Sequence, residues 1–258
     1  MTTLAVVQAR MTSTRFPGKV LSPLLGEPMI LRQLERVTRS TLLDGLIVAT
    51  STDPSDDLLV EVLHSAGYSV FRGSLDDVLA RFIGAIDTFE SSTSRTVADV
   101  VRLTADCPLT SPKVIDEVIS AFRNSEADYL SNTMTPTYPD GLDAEVVKVT
   151  VLREVASVAI DPPEREHVTL GVYRRNDDYS ISNFSDSQDH SELRWTVDTP
   201  EDLSFVSQVF EELYPQNPNF EYEDVLAYLR KYPERSRTEK DAVRNASLQG
   251  IDTGAMNA

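Results

Sequence analysis

The feature that most constrains this chain is an alternation of short apolar runs with apolar stripes at helical spacing. Leu4-Ala5-Val6-Val7 reads as a buried strand, and Ile30, Leu34 and Val37 recur on one helix face. Leu46 to Thr50 is the next strand. Leu58, Leu59, Val62 and Leu63 then mark a helix stopped by Gly67. Val70-Phe71 is a short strand, followed by a stripe at Val78, Leu79, Phe82, Ile83, Ile86 and Phe89. Val100 to Leu103 is strand again, and Val114 to Phe122 lies on a helix with Pro112 in its first turn. This alternation predicts an α/β fold of βαβ units, a parallel sheet with helices on both faces.

After about Tyr129 the rhythm changes. Thr133 to Asp143 carries Pro136, Pro139 and Gly141 and reads as a loop. Glu145 to Val149 suits a strand, Val151 to Ala159 a helix, and Glu164 to Tyr173 another helical segment. Arg194 to Val197 is strand-like. Thr199-Pro200-Glu201-Asp202 has the form of an N-cap, a first-turn proline and an acidic first turn. A last helix is expected over about 222–232. We expect one domain over 1–235, with halves of about 1–128 and 129–235, and a flexible tail over 236–258.

Charge and composition narrow the function. Lys plus Arg is 24 and Asp plus Glu 41, a net charge of −17, which disfavours nucleic acid and anionic lipid as partners. One cysteine and three scattered histidines argue against disulfides and against a zinc site. The early apolar run is too short for a signal peptide or a membrane span, so a cytoplasmic protein is expected.

Against that acidic background, the first carboxylate is Glu27, and Arg10, Arg15 and Lys19 precede it in one loop after the first strand. Ligands of open α/β sheets bind at the carboxyl ends of strands. Two guanidinium groups and an ammonium there suit a triphosphate, with Thr12, Ser13 and Thr14 adding donors and Pro17-Gly18 turning Lys19 back. The loop is neither a Walker A nor a GxGxxG sequence. Asp106 and Asp198 each follow a strand-like run, and two carboxylates beside a triphosphate are the usual means of holding Mg²⁺. Taken singly, each also suits a plainer role, Asp106 as a turn former and Asp198 as a helix-capping acid.

Gln8 to Lys19 resembles the opening of the sugar-nucleotide cytidylyltransferases, the group that includes CMP-KDO synthetase. Further motifs in order are similar to the SpsF-type spore coat polysaccharide proteins in particular. These are Phe71-Arg72-Gly73-Ser74 with Asp77 to Phe82, Leu103 to Leu109, Tyr138 to Glu145, Glu164 to Thr169, and Arg194 to Leu203. The resemblance covers about residues 3–232. It implies a single nucleotide-diphospho-sugar transferase domain with a mostly parallel mixed sheet. It also implies transfer of CMP from CTP to an acceptor oxygen with release of pyrophosphate. By position, Arg10 and Lys19 would hold the β- and γ-phosphates, with Ser13 and Arg15 ordering the loop and Asp106 and Asp198 as Mg²⁺ ligands. Ala9, Met11, Arg72 and Ser74 would lie toward the nucleotide. Thr12 and Ala105 depart from the glycines common in relatives; a threonine at positive φ would cost about 1–2 kcal/mol.

The acceptor half is less specific. Asp140, Asp143 and Glu145 suit a second metal, acceptor hydroxyls or an amine, while Arg165, His167 and Arg194 suit an acceptor carboxylate or phosphate. The expected function is a CTP-dependent cytidylyltransferase acting on a small anionic acceptor in surface polysaccharide or glycoconjugate synthesis. A homodimer through the second half is compatible with the pattern. Two other readings stand beside it: a same-fold nucleotidyltransferase or glycosyltransferase using another nucleotide, and a catalytically silent nucleotide-binding subunit.

Overall fold

The computed structural model describes residues 1–238 together with residues 244, 251 and 253. Seven strands form one sheet: β1 (Thr2–Gln8), β2 (Gly45–Ser51), β3 (Val70–Gly73), β4 (Val97–Thr104), β5 (Tyr129–Ser131), β6 (Glu145–Lys148) and β7 (Ile181–Asn183). Their order is β3-β2-β1-β4-β6-β5-β7. Strand β1 pairs in parallel with β2 and β4, and β2 with β3. Strand β6 runs antiparallel to β4 and β5, so the sheet is mixed rather than wholly parallel.

The helices are α1 (Met29–Val37), α2 (Asp57–Ser65), α3 (Val78–Thr93), α4 (Pro112–Arg123), α5 (Val149–Val158), α6 (Pro162–Glu166), α7 (Leu170–Tyr173), α8 (Pro200–Leu213) and α9 (Tyr222–Lys231). They cover both faces. Along β1, Ala5 and Val7 join a core with α1, α4, α8 and α9, whereas Leu4 and Val6 join a second core with α3 and α5. That is why the run is apolar throughout instead of alternating.

Several sequence expectations change here. Strands β5 and β7 have three residues each, too few to stand out as apolar runs. Val149 begins α5 instead of ending a strand. The helical segment from Glu164 to Tyr173 is two short helices, broken where Val168 takes φ 41°. Arg194 to Val197 is extended but makes one isolated bridge, Asp140 to Arg194, rather than a strand. Thr12 and Ala105 are not among the described residues with positive φ, so neither departure strains the backbone; Gly18 takes that conformation at φ 73°.

Most of the expected tail lies outside the described residues. Its described members are engaged: Arg237 pairs with Asp202, Arg244 pairs with Asp143, and Ile251 packs against the α3–α5 core.

The sheet order reverses between β1 and β4, so the loops after both strands open at one edge. The 194–198 segment is tied into that edge by Trp195 N–H to Asp140 O at 2.6 Å and Val197 N–H to Asp106 O at 2.8 Å. Gly141 makes this approach possible. It has φ 112°, and a Cβ there would lie 2.8 Å from the Trp195 carbonyl carbon. Gly141→Ala should therefore destabilise the protein by about 1–3 kcal/mol, read as a lower urea midpoint with unchanged m-value.

Candidate active site

A cleft of about 450 Å³ opens at this edge. That is within the range of small-ligand sites. It brings together Ala9, Arg10, Ser13, Arg15, Lys19, Asp106, Asp140, Asp143, Glu145, His167, Arg194 and Asp198 from the expected set. A wider hollow of about 840 Å³ lies over α4. Its charges are spent locally, as in the ion pairs of Lys113 with Glu223 and Arg39 with Glu35, so it offers no convergent chemistry.

The loop after β1 is held from below. Asp56, fully buried, accepts from Met11 N–H at 2.7 Å, Thr50 Oγ1 at 2.9 Å and Ser51 N–H at 3.1 Å. Gly18 N–H closes the loop onto Met11 O at 2.9 Å. Met11 therefore has no amide left for a nucleotide, and it does not line the cleft. The amides of Thr12, Thr14 and Arg15 have no acceptor among the described residues, which leaves them for an anion. The Arg10 side chain is exposed in the cleft, with no hydrogen bond or ion pair among the described residues.

Lys19 lies deeper. Its ammonium donates to Asp106 Oδ2 at 3.1 Å, Asp198 Oδ1 at 2.8 Å and Val197 O at 2.7 Å. All three donors are used on these oxygens, so the ammonium expected at the β- and γ-phosphates has no free donor in this arrangement. Burial works against its charge, but the two aspartates outweigh it and raise its pKa. Burial likewise opposes the Asp106 carboxylate. Lys19, with hydrogen bonds from Thr104, Lys19 and Cys107, prevails and lowers that pKa to about 2. Asp198 is lowered against its burial, chiefly by Lys19. It also pairs with Arg15 at 3.0 Å and with Arg194. The donor chemistry suits a divalent cation, since both carboxylates have lowered pKa values and both line the cleft; the Lys19 ammonium lies between them here, and no cluster of three or more potential ligands occurs among the described residues.

Besides Met11, three expected residues lie outside the cleft lining. The Arg72 guanidinium is turned away from the cleft, with Nε on Ser51 O and Nη2 on Asp53 O and Asp57. Ser74 Oγ accepts from Asp77 N–H. Arg165 clamps Asp77 and donates to Ala156 O at 2.8 Å. Arg194 does line the cleft, yet it is 2% exposed and committed to Asp140 at 2.8 Å and to Asp198. It shapes the floor and has little left for an acceptor.

Sequence reasoning missed Asp56, Arg81, Arg102 and Arg244. The available signal for Arg81 and Arg102 was a cation inside an apolar stripe or strand. Arg81 is 2% exposed and donates to Ser74 O and Leu75 O. Arg102 donates to Gln8 Oε1 at 3.2 Å and to Glu145. Glu145 in turn accepts from Tyr129 Oη at 2.8 Å and Thr169 Oγ1 at 2.5 Å. Burial lowers the pKa of His167, so its ring favours the neutral form.

A nucleotide-sized cleft at the switch point of a mixed α/β sheet, with a cationic loop facing two ionised aspartates, defines a nucleotidyltransferase. The comparisons narrow this. A model of the cytidylyltransferase family matches residues 4–229, and the chain belongs to that family of CTP-dependent enzymes. It is 31% identical over 247 residues to the spore coat polysaccharide biosynthesis protein SpsF of Bacillus subtilis, covering 93% of this chain and 98% of that one. A cytidylyltransferase structure from Leptospira borgpetersenii superposes with a TM-score of 0.84 at 29% identity, covering 95% and 98% of the two chains. The 3-deoxy-manno-octulosonate cytidylyltransferase of Geobacter sulfurreducens is 32% identical over 152 residues, 58% of this chain and 57% of that one. No helix among the described residues is long and apolar enough to cross a membrane.

Asp140 offers a pH test. Burial, then the neighbouring Asp143, push its pKa up to about 7 despite Arg244 and Arg194. The folded state thus keeps a proton that the unfolded state sheds near 4, so this group's contribution to stability falls as pH rises from about 4 to 7. Asp140→Asn should remove that component. Denaturation series at pH 5 and pH 8 should show the wild type losing stability relative to the variant as pH rises.

Proposed function

We propose that this cleft transfers CMP from CTP to a hydroxyl of a small, anionic, sugar-like acceptor in the cytoplasm, serving surface polysaccharide or glycoconjugate synthesis. The observation that carries the reading is Arg10, open in the cleft with no partner among the described residues, on the same loop as the free amides of Thr12, Thr14 and Arg15. A triphosphate supplies the anion they lack.

In this reading the acceptor hydroxyl releases its proton to solvent and its oxygen attacks the α-phosphorus in line. The new O–P bond forms as the bond from the α-phosphorus to the α,β-bridging oxygen breaks, and pyrophosphate leaves. Arg10 and the amides of Thr12, Thr14 and Arg15 take up the charge that moves onto pyrophosphate. Lys19 holds Asp106 and Asp198 in register. Asp106 and Asp198 would hold Mg²⁺, which neutralises phosphate charge when bound. No protein nucleophile is needed, because positioning and charge stabilisation suffice for phosphoryl chemistry. Cys107 is buried and its pKa is raised well above the ordinary value, first by burial and then by Asp106, so it is a poor nucleophile.

CTP with Mg²⁺ at a hundredfold excess over its Kd should raise the unfolding midpoint by about 5–11 °C, and UTP, ATP and GTP by less. An equal response to all four would remove the cytidine assignment. Arg10→Ala should keep the wild-type midpoint without ligand and raise KM for CTP about tenfold or more, consistent with loss of a charged hydrogen bond of about 1.5–3 kcal/mol. Asp106→Asn should lose pyrophosphate release by about 100-fold or more, and EDTA should abolish it in the wild type. Full turnover in either case would refute the metal assignment.

A further inference from the structure

Arg102 is a cation set inside the apolar run from Val100 to Leu103, paired with the buried Glu145. It lies in β4 between Val101 and Leu103, opposite Val6 on one side and Glu145 on the other. Its guanidinium is held on two edges, by Gln8 Oε1 through Nε and by Glu145 through Nη1. Glu145 cannot swing away, because Tyr129 and Thr169 both donate to it. The remaining nitrogen, Nη2, has no acceptor among the described residues, and Arg102 lines the cleft with His167 and Tyr173. A planar donor fixed on two edges and open on the third is prepared for an oxyanion.

The neighbouring cations do not compete for that role. Arg165 is spent on Asp77 and Ala156, and Arg194 on Asp140 and Asp198. Arg10 and the free amides belong to the first loop, so a triphosphate has its own partners there. The side that Arg102 shares with Glu145, His167 and Tyr173 is left to the second substrate.

We propose that Arg102 determines acceptor specificity by binding the acceptor's anionic group, a carboxylate or a phosphate monoester, through its free Nη2 edge. This rests on the cytidylyl-transfer reading of the cleft. It replaces Arg165 and Arg194 as the recognition residues with one that the sequence motifs do not single out.

The test follows ¹⁵N-labelled arginine side chains by NMR in the full chain, with the Arg102 signal assigned by its loss in Arg102→Lys. That variant keeps a positive charge beside Glu145 but lacks the fork. Mg²⁺ and α,β-methylene CTP are added first, since the analogue cannot release pyrophosphate. N-acetylneuraminate, 3-deoxy-manno-octulosonate or glycerol 3-phosphate follows, with mannose and glycerol as uncharged controls.

The expected result is a saturable shift of the Arg102 signal with at least one acidic probe and none with the controls. Arg102→Lys should then bind that probe at least tenfold more weakly while keeping its affinity for the analogue within threefold. A signal that moves on adding the analogue and no further makes Arg102 a nucleotide contact and overturns the proposal. So does a signal that moves with no acidic probe, or a variant that binds the probe like wild type. Failure of the wild type to bind the analogue at all refutes the nucleotide reading first, and this proposal with it.

Discussion

The site depends on one buried cation. Lys19 Nζ joins three stretches of chain that are far apart in sequence: its own loop after β1, Asp106 after β4, and Val197-Asp198 before α8. Each partner alone would be a buried charge or carbonyl short of a partner, which is costly. Together they lock this edge of the sheet. They also keep Asp106 and Asp198 ionised, which is the condition for holding a divalent cation. The backbone bond from Val197 to Asp106 and the capping box of Thr199 and Asp202 fix the approach of the third stretch.

Around that centre, an acidic chain spends nearly all of its local cations on its own carboxylates. Arg15 and Arg194 go to Asp198, Arg194 also to Asp140, Arg102 to Glu145, and Arg244 to Asp143. What remains open among the described residues is Arg10 and three amides on the first loop, and one nitrogen of Arg102 in β4; both proposals rest on these. The chemistry is therefore read better from unspent donors than from the inventory of charges.

Some of these placements were legible in the sequence and others were not. The loop of Arg10, Arg15 and Lys19 and the pair Asp106 and Asp198 were legible, because each follows a strand and the fold puts strand ends together. Arg72, Ser74 and Arg165 belong to equally recognisable motifs, but their groups are consumed by neighbours such as Asp57 and Asp77. Motif membership says that a residue is near the site, not where its donors point. Arg102 and Arg81 carried a weaker sign, a charge set in an apolar pattern. Asp56 and Arg244 carried none, since their partners lie 45 and 101 positions away.

The α/β rhythm, the two-sided core, the cationic loop and the two strand-end aspartates were written in the linear pattern. Periodicity and strand-end position are local properties, and they survive any detail of packing. That β6 runs antiparallel, that Lys19 bridges the two aspartates instead of reaching outward, and that Arg102 keeps a free nitrogen came from packing across the chain. Those outcomes turn on which groups meet across long separations. A side chain's last hydrogen bond depends on a few tenths of an ångström that no spacing in the chain encodes.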